Sequence, residues 1–400
     1  MNVGILGAGQ LARMMVLAGT PLGLNFRLFD PAPDACAGAL SALTLGSFHD
    51  TQALAQFAAA CEVLTFDFEN VPASTLELLE VTHRIVPNSR ALAMTQDRLI
   101  EKKSCANLGI PVVPHAPVNS AQELAQAILE VGLPGILKTR RLGYDGKGQV
   151  RIRAAAAAAA ALTALHQAPC VYERWMPFKR ELSLLTVRAS DGTLGFYPLV
   201  ENIHEQGILS VSIAPAEVSA GLAASARDYA KRVAEHFAYV GVFALEFFEI
   251  DGALVLNEMA PRVHNSGHWT IEGARTSQFE NHLRALAGLP LGDTQAIGAS
   301  LMLNWVGTLP SRAAALSVPG LHWHEYGKLP REGRKLGHAT LCARDFAELR
   351  SALDRLAEQL PDCAPVKLAQ FALAEITACH QPAPSSQAQS ADCANRSAHQ

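Results

Sequence analysis

Two glutamates stand in segments that are otherwise apolar. Glu246 lies within residues 242–248, and Glu258 lies within residues 254–259. A carboxylate in such a strand is costly to bury unless it is paired or bound to a cation. Mg²⁺ prefers oxygen ligands and needs few protein groups when it also binds phosphates. The pair therefore predicts a magnesium site beside nucleotide phosphates. The alternative is two exposed glutamates on a half-buried sheet.

The register of one hairpin decides whether these glutamates can share a ligand. Asp251-Gly252 marks the turn between the two segments. A three-residue loop that includes Ala253 would place Glu246 opposite Glu258, whereas a two-residue turn would place Glu246 opposite Asn257. The metal role therefore predicts either the three-residue loop or a bulge.

A glycine-rich loop between two predicted strands is a second candidate. Lys138 ends the strand 135–138, and the run Gly143-Tyr144-Asp145-Gly146-Lys147-Gly148-Gln149 precedes the next strand. Free amides and a lysine in such a hairpin can close over phosphates. The spacing is not that of a Walker loop, and a strand follows instead of a helix. A mobile hairpin with solvated charges explains the loop, taken alone, equally well.

Three further segments carry polar groups of candidate sites. The run Glu173-Arg174-Trp175-Met176 can offer backbone groups to an adenine ring, or it is a chain crossover with a core tryptophan. In the second segment, Arg262 is a fixed cation suited to an oxyanion, and His264 and His268 can donate, accept or position a substrate. The alternative there is a capped turn. The third segment contains the basic cluster Arg331, Arg334, Lys335 and His338, which is either a phosphate site or a solvated charge run.

The first glycine motif indicates a different chemistry. Residues 7–12 (GAGQLA) follow a strand and open a helix, and Asp30 ends the next strand. This pattern is typical of dinucleotide-binding turns, in which an acidic residue holds a ribose hydroxyl. It makes an NAD-dependent oxidoreductase an alternative function. A tight strand-to-helix turn, however, needs small residues whatever it binds.

Composition limits the class of protein. The chain has 400 residues, 49% of them hydrophobic, and 33 basic and 37 acidic residues give a net charge of −4. We therefore expect several domains and neither a nucleic-acid nor a membrane partner. We expect no membrane span and no signal peptide, because no uncharged apolar run is long enough and residues 3–6 already resemble a strand. Eight cysteines without a Cys-x-x-Cys pair predict reduced thiols and a cytoplasmic location.

The elements that must position these residues alternate in kind. Predicted strands 2–6, 26–30 and 63–66 alternate with helices 10–18 and 50–61, which favours a parallel sheet. Helices are expected at 120–132, in the alanine run 154–161, at 220–237 and after Asp345. An α+β block is expected from five strands, at 181–188, 193–199, 208–213, 242–250 and 253–259.

Taken together, these motifs resemble those of ATP-grasp carboxylate–amine ligases, and within them of 5-(carboxyamino)imidazole ribonucleotide synthases of purine biosynthesis. The resemblance covers about residues 1–340 and rests on segments 7–14 (GAGQLARM), 66–71 (FDFENV), 97–102 (DRLIEK), 143–149 (GYDGKGQ), 257–269 (NEMAPRVHNSGHW) and 333–338 (GRKLGH). It implies a mixed α/β and α+β fold: a Rossmann-like N-terminal domain (1–96), an ATP-grasp small lobe with its flap (97–172), a large lobe with the metal site (173–295) and a small C-terminal substrate-binding domain (296–380). We expect the tail, 381–400, to be disordered because its composition is polar.

The resemblance also implies roles for individual residues. ATP would contact Arg98, Lys138, the flap 143–149, Glu173, Arg174, Trp175, Met176, Glu181, His204, Asn257 and Glu258. Mg²⁺ would be held by Glu246 and Glu258. The aminoimidazole ribonucleotide would face Gln10, Glu69, Asn70, Arg331, Arg334 and Lys335. Arg262, His264 and Lys138 would be the catalytic residues, with Arg262 and His264 suited to bicarbonate or carboxyphosphate.

The implied reaction is ATP-dependent carboxylation of an amine by bicarbonate, through carboxyphosphate, in a homodimeric enzyme. No biotin is implied, since the chain has no Met-Lys-Met carrier segment. The chain departs from the family at Ala8 and Ala12, where glycine is usual, at Asp67, where glutamate is common, and at Leu336, where methionine is common. Sister ligases remain alternatives, such as a formate-dependent glycinamide ribonucleotide transformylase or a biotin carboxylase. A non-catalytic nucleotide-binding module is a further alternative, which the presence of both Glu246 and Glu258 disfavours.

Overall fold

The computed structural model describes residues 1–143 and 147–378. Three predicted flap residues, Tyr144, Asp145 and Gly146, and the predicted tail 381–400 lie outside the described residues. The strands are β1 (Asn2–Leu6), β2 (Asn25–Asp30), β3 (Ala42–Leu45), β4 (Val63–Phe66), β5 (His115–Val118), β6 (Gly135–Thr139), β7 (Gln149–Ile152), β8 (Cys170–Arg174), β9 (Arg180–Arg188), β10 (Leu194–Phe196), β11 (Val200–Glu205), β12 (Ile208–Ala214), β13 (Gly241–Ile250), β14 (Ala253–Ala260), β15 (Ala299–Val306), β16 (Leu321–Glu325) and β17 (Lys335–Ala343).

Helices cover these strands. They are α1 (Gln10–Gly19), α2 (Thr51–Ala58), α3 (Ala73–Glu80), α4 (Ser89–Thr95), α5 (Arg98–Asn107), α6 (Ala121–Val131), α7 (Ala158–Ala164), α8 (Ala220–His236), α9 (Thr270–Gly273), α10 (Gln278–Ala287), α11 (Arg312–Leu316), α12 (Phe346–Gln359) and α13 (Ala364–Ala378). Among the helices of the described residues, none is long and apolar enough to cross a bilayer.

The N-terminal sheet is parallel, in the order β3-β2-β1-β4. Its central strand, β1, is buried from Val3 to Leu6. The sequence analysis did not predict the edge strand β3, because three of its four residues are exposed and the fourth is only half-buried, so the strand has no buried apolar face. The predicted helix 50–61 is shorter than expected and ends at Ala58, with Asp50 accepting a hydrogen bond from the Ala53 amide at its start.

The glycine-rich turn after β1 binds carboxylates of the chain itself. An Asp67 Oδ2 atom accepts hydrogen bonds from the amides of Gly9 at 2.8 Å and Ala12 at 3.2 Å. Asp30 Oδ2 accepts from the Ala8 amide at 2.8 Å. The amides at the start of α1 attract anions, as expected for a helix N-terminus. Two aspartates, rather than a nucleotide phosphate, fill this role, so Asp30 is not available to a ribose as predicted.

Gly7 has a conformation and a neighbour that exclude a side chain. Its φ is +98°, and a Cβ there would overlap the Asp67 carboxylate. We expect Gly7→Ala to lower the free energy of unfolding by about 3 kcal/mol, because it adds this overlap to left-handed backbone strain. Gly23 is the matched control, since its φ is +72° and no atom lies within 4 Å of a Cβ there. Gly23→Ala should lose only about 1 kcal/mol. If Gly7→Ala and Gly23→Ala lost the same free energy of unfolding in urea, the overlap with the Asp67 carboxylate would not be a cause of the loss.

A second, antiparallel sheet has the order β5-β8-β6-β7. The hairpin of β6 and β7 pairs Gly135 with Ile152 and Lys138 with Gln149, as the glycine-rich loop predicts. Helix α6 packs on this sheet through Leu124, Ala127 and Ile128. The alanine run is helical only from Ala158, after a 3₁₀ turn at Ala155–Ala157.

The largest sheet has nine strands and runs β14-β13-β9-β11-β12-β15-β17-β16, with β10 also paired to β9. Strands from both predicted regions 173–295 and 296–380 lie in this one sheet, joined where β12 pairs with β15. The strand predicted at 193–199 is only the short β10, and a second strand that was not predicted, β11, follows it; both pair with β9. Pro198 lies between them and has no amide to donate, which accounts for the break.

The C-terminal helices cover the β15–β17 end of the sheet. Helix α12 begins after Asp345, whose side chain accepts a hydrogen bond from the Glu348 amide, as predicted. The sequence analysis did not predict α13, which buries Val366, Ala369 and Leu373 in the same core as β15 and β17.

Candidate active site

The β13–β14 hairpin brings the two glutamates together through a bulge. Ile250 pairs with Ala253, so the turn is the two-residue form, with Asp251 and Gly252 both at positive φ. The register then shifts, so that Phe247 pairs with Leu256 and Glu246 pairs with Glu258. Asn257 is the extra residue of the bulge. The bulge alternative is therefore the one that this strand pair adopts.

Each glutamate of the pair also contacts a basic side chain. Arg98 donates to Glu258 at 2.7 Å, and His264 Nε2 lies 2.9 Å from Glu246 Oε1. Burial raises the pKa of Glu258, but the Arg98 charge outweighs it and lowers the pKa to about 2. Glu258 is therefore suited to remain charged beside a cation.

The oxygen atoms present fit a magnesium ion shared with phosphates. Besides the two glutamates, Asn257 Oδ1 is buried and has no hydrogen-bond partner among the described residues. Within residues 1–143 and 147–378, no group of three or more His, Cys, Asp or Glu side chains is arranged to hold a metal ion unaided. Mg²⁺ commonly takes one or two carboxylates and completes its shell with substrate phosphates and water.

A buried ion network lies beneath the flap hairpin. Lys138 donates to Glu173 at 2.7 Å, and Lys102 lies 3.1 Å from the other oxygen of the same carboxylate. Burial raises the pKa of Glu173, yet the two lysines lower it to about 2. For Lys138, burial lowers the pKa more than Glu173 raises it. The segment 173–176 is predicted to border adenine, and within it the Glu173 side chain contacts two lysines.

The root of the flap is tied to the start of α5. Asp97 caps this helix through the Leu99 amide and accepts hydrogen bonds from Arg140 at 3.0 and 2.7 Å. Arg98 Nη2 donates to the Gly143 carbonyl at 3.2 Å. The predicted nucleotide residue Arg98 therefore connects the flap with Glu258. Of the flap residues that the structure describes, Gln149 lies at the start of β7, Gly148 has a φ of +72°, and Lys147 is exposed.

Two other predicted nucleotide residues form a pair. His204 Nδ1 lies 2.8 Å from Glu181 Oε2. Burial lowers the pKa of His204, but the hydrogen bond and charge of Glu181 and the charge of Glu246 together raise it above the usual value. The two glutamates thus favour the protonated form of His204 over the neutral form.

Trp175 is not a core tryptophan. The guanidinium of Arg151 lies 3.3 Å from the centroid of its ring, and the Trp175 amide donates to the Pro134 carbonyl at 2.9 Å. Arg174 is exposed, and Met176 is half-buried. The sequence analysis missed Arg151, which alternates with apolar residues on β7 and so has the pattern of a solvated strand residue.

Arg262 joins the bulged hairpin to the N-terminal domain. It lies 2.9 Å from Glu69 and donates to the Val263 carbonyl at 3.1 Å. The backbone of His264 is held by Gln278, which accepts from its amide at 2.9 Å and donates to its carbonyl at 2.6 Å. Two residues expected to act on different substrates, Glu69 and Arg262, are thus in direct contact. Asn70 is half-buried in the same loop.

The basic C-terminal loop approaches Gln10 through a residue that was not predicted. Lys328 donates a hydrogen bond to Gln10 Oε1 and lies 5.6 Å from the Tyr326 ring centroid. Burial lowers the pKa of Lys328, and the charges of Arg334 and Lys335 lower it further. Arg331 is exposed at this loop. Lys328 occurs in the same loop as the predicted cluster, so loop position was the available signal.

Two histidines assigned to polar segments are instead buried. His338 stacks on His324 with ring centroids 4.4 Å apart, and its Nδ1 lies 2.7 Å from the Tyr326 hydroxyl. His268 is 1% exposed and packs against His338. Burial lowers the pKa of both rings well below the usual value. His338 is therefore a buried ring, which does not fit the alternative of a solvated charge run at this position.

Asp67 makes stability depend on pH. Burial raises its pKa to about 6, although the amide hydrogen bonds of Ala12 and Gly9 oppose this. The folded protein then binds a proton that the unfolded chain releases near pH 4, so this carboxyl contributes stability below pH 4 that is lost as the pH rises through 6. We expect Asp67→Asn to gain about 2 to 3 kcal/mol relative to the wild type between pH 4 and 7, measured by urea unfolding. If the difference in free energy of unfolding between the variant and the wild type were the same at pH 4 and pH 7, the raised pKa of Asp67 would be contradicted.

Family models match three successive parts of the chain. They are the ribonucleotide synthetase preATP-grasp domain at residues 1–96, the ATP-grasp domain at 103–279 and the phosphoribosylaminoimidazole carboxylase C-terminal domain at 300–352. The chain is 50% identical over 355 residues to the N5-carboxyaminoimidazole ribonucleotide synthase of Pseudomonas aeruginosa, covering 88% of this chain and 98% of that protein.

Solved structures agree with this sequence match. The N5-carboxyaminoimidazole ribonucleotide synthetase of Thermus thermophilus is 49% identical, with a TM-score of 0.87, over 90% of this chain and 99% of that one. The synthase of Aspergillus clavatus, solved with ADP and 5-aminoimidazole ribonucleotide, is 33% identical with a TM-score of 0.84, over 90% and 99% of the two chains.

These matches confirm the predicted three-part fold and the predicted resemblance. They also show that the interpretation of residues 7–12 as an NAD-binding turn was wrong, in agreement with the aspartates that occupy its amides. The chain belongs to the N5-carboxyaminoimidazole ribonucleotide synthase family and is an ATP-dependent carbon–nitrogen ligase of the ATP-grasp type.

Proposed function

We propose that the protein uses ATP and bicarbonate to carboxylate the exocyclic amine of 5-aminoimidazole ribonucleotide, in purine biosynthesis. The observation that carries this proposal is a continuous chain of contacts. Glu246 contacts His264, and Arg262, two residues before it, contacts Glu69 of the N-terminal domain. A nucleotide-phosphate site and an acceptor site from another domain therefore meet at the 262–264 segment. Relatives named for this reaction, one solved with ADP and 5-aminoimidazole ribonucleotide, support the same substrates.

In the proposed nucleotide site, Arg98, Lys138, Asn257 and the described flap residues Gly143, Lys147, Gly148 and Gln149 face the phosphates of ATP. Glu173 holds Lys138 in place through their hydrogen bond, and His204 pairs with Glu181. In this proposal the backbone of 174–176 would border adenine and the Glu181–His204 pair would face the ribose. Glu246 and Glu258 hold Mg²⁺, which when bound neutralises charge on the phosphate oxygens. The positive charges of Lys138 and Arg262 serve the same electrostatic purpose from fixed positions.

The proposed chemistry has two steps. A bicarbonate oxygen attacks the γ-phosphorus, the bond to the β-phosphate oxygen breaks, and ADP and carboxyphosphate form. The amine nitrogen then bonds to the carboxyl carbon, directly or after carbon dioxide release, while phosphate leaves and the amine loses a proton. Arg262 holds the carboxyphosphate, and a closed flap keeps water from it. His264, two residues after Arg262 in the chain, is a candidate for accepting the proton, as is Asp145.

The proposed ribonucleotide site lies at the junction of the N- and C-terminal domains. Gln10, Glu69 and Asn70 face the aminoimidazole ring and ribose. Lys328, Arg331, Arg334 and Lys335 supply positive charge for the 5′-phosphate, with Lys328 already positioned against Gln10. The residues of this site come from the N- and C-terminal domains, whereas the proposed nucleotide site lies in the ATP-grasp domain. We therefore expect these two terminal domains to determine which acceptor the enzyme uses.

The test is ADP release in the presence of Mg²⁺, ATP and bicarbonate, with and without aminoimidazole ribonucleotide. We expect release to require bicarbonate and to rise with the ribonucleotide, and the carboxylated product to form in equal amount with ADP. Release only with formate and glycinamide ribonucleotide would instead identify a sister ligase. Turnover without any acceptor dependence would contradict the proposed acceptor site.

A further inference from the structure

One turn of α5 contacts three consecutive residues of the bulged strand β14. Lys102 Nζ donates to the Asn257 carbonyl at 3.0 Å, and Arg98 donates to the Glu258 carboxylate at 2.7 Å. Glu101 Oε1 accepts from the Met259 amide at 2.5 Å. The three side chains leave α5 at positions i, i+3 and i+4, which share one helix face. The bulge is thus held at each of its residues by a separate side chain.

Glu101 and Lys102 differ from Arg98 in their burial. Glu101 is 3% exposed and Lys102 is 1% exposed, whereas the Arg98 side chain is 18% exposed. Buried charges lose solvation, and they persist when partners compensate them. Lys102 has such partners in Glu173 and the Asn257 carbonyl. Burial raises the pKa of Glu101 to about 8, so this side chain acts as a buried hydrogen-bond acceptor for the Met259 amide rather than as a compensated charge. Both groups lie beneath the surface that a nucleotide would contact.

The bulge needs such support because a regular ladder would give a different site. With a two-residue turn and no extra residue, Glu246 would lie opposite Asn257, and Glu258 would point to the other face. The backbone contacts of Lys102 and Glu101 flank Glu258 on both sides, at Asn257 and Met259. When both contacts are made, β14 keeps the bulged register, and Glu258 then lies on the same face of the sheet as Glu246.

We propose that Glu101 and Lys102 are positioning residues that fix the Asn257 bulge and thereby hold Glu246 and Glu258 on one face for a magnesium–nucleotide complex. This inference rests on the proposed function of the two glutamates as the magnesium site. Lys102 also restrains Glu173, so the same helix turn positions Lys138.

The test measures ADP binding by calorimetry as a function of Mg²⁺ concentration, with no acceptor and no turnover. We expect Lys102→Met to raise the Mg²⁺ concentration for half-maximal binding about tenfold or more, as found when partners of metal ligands are removed. Lys103→Met is the matched control, because Lys103 is the exposed neighbour on the same helix. Its Mg²⁺ requirement should equal that of the wild type. A folded Lys102→Met protein with the wild-type requirement would overturn the proposal.

A second pair of variants decides the matter if Lys102→Met does not fold. Glu101→Leu removes the acceptor for the Met259 amide, and Glu101→Gln retains one. We expect Glu101→Leu to need more Mg²⁺ than Glu101→Gln; equal requirements in both would overturn the proposal. If the ADP affinity of the wild type did not depend on the Mg²⁺ concentration, both the magnesium site and this inference would be overturned. Failure to carboxylate aminoimidazole ribonucleotide, with these binding shifts intact, would overturn only the proposed acceptor.

Discussion

Glu258→Gln is expected to abolish ATP turnover while the protein remains folded. The substitution keeps the size of the side chain but removes the negative charge that faces Glu246 across the bulge and pairs with Arg98. A metal ion at a phosphoryl-transfer site is worth several kcal/mol, which corresponds to about 10³-fold or more in rate. The measurement is ADP release with saturating aminoimidazole ribonucleotide and bicarbonate.

Asp251→Asn is the matched control for this loss. Asp251 lies at the exposed turn of the same hairpin, at a φ of 51° that asparagine adopts readily. It should turn over ATP at the wild-type rate. A Glu258→Gln protein that retained more than about a tenth of wild-type activity would contradict the proposed metal ligand, because a loss that small corresponds to only about 1.4 kcal/mol.

Arg262→Met is expected to lower kcat by about 10²- to 10³-fold, the loss typical when one fixed donor to a developing oxyanion is removed. Arg262 contacts Glu69 rather than the Lys138–Glu173 network, so binding of ADP should be unchanged. Glu69 is partly exposed, and water can solvate its carboxylate in the variant. Turnover and ADP affinity are measured on the same preparation.

The exposed Arg275 provides the control for Arg262. Arg275 pairs with Asp293 at the surface, and Arg275→Met should leave both quantities unchanged. If Arg262→Met lost ADP affinity together with turnover, Arg262 would belong to the nucleotide site rather than to carboxyphosphate. If Arg262→Met kept the wild-type kcat, Arg262 would have no role in the chemical steps.

The sequence indicated the candidate site most clearly where a charged residue occurs in a segment that is otherwise apolar. Glu246 and Glu258 are carboxylates in apolar strands, so their segments alone predicted a shared site. The bulge that joins them was only one of two alternatives, because strand register depends on contacts from outside the hairpin. Lys102 shows the same limit. Lys102 and Lys103 are adjacent and identical in type, and only the packing of α5 against β14 determines which one is buried.

Other features depend on partners that are remote in sequence. The turn at residues 7–12 has the pattern of a dinucleotide-binding turn, but the group that its amides bind is Asp67, from a loop after β4. Strand β3 has little apolar pattern because it lies at the edge of its sheet. His268 and His338 were assigned to polar segments because their neighbours in the chain are polar, whereas their rings pack against one another in the core.

The continuous nine-stranded sheet has a mechanical consequence. Because β12 and β15 are hydrogen-bonded neighbours, the β13–β14 hairpin that carries Glu246 and Glu258 belongs to the same sheet as β16 and β17, which flank the basic C-terminal loop. A hinge between these two parts would have to break the hydrogen bonds between β12 and β15. The sheet that carries the flap hairpin has its own strands and is a separate layer. A truncated chain that ended before β15 would expose the backbone edge of β12, a template for pairing with other chains, so the C-terminal strands are an inseparable part of the scaffold for the chemistry.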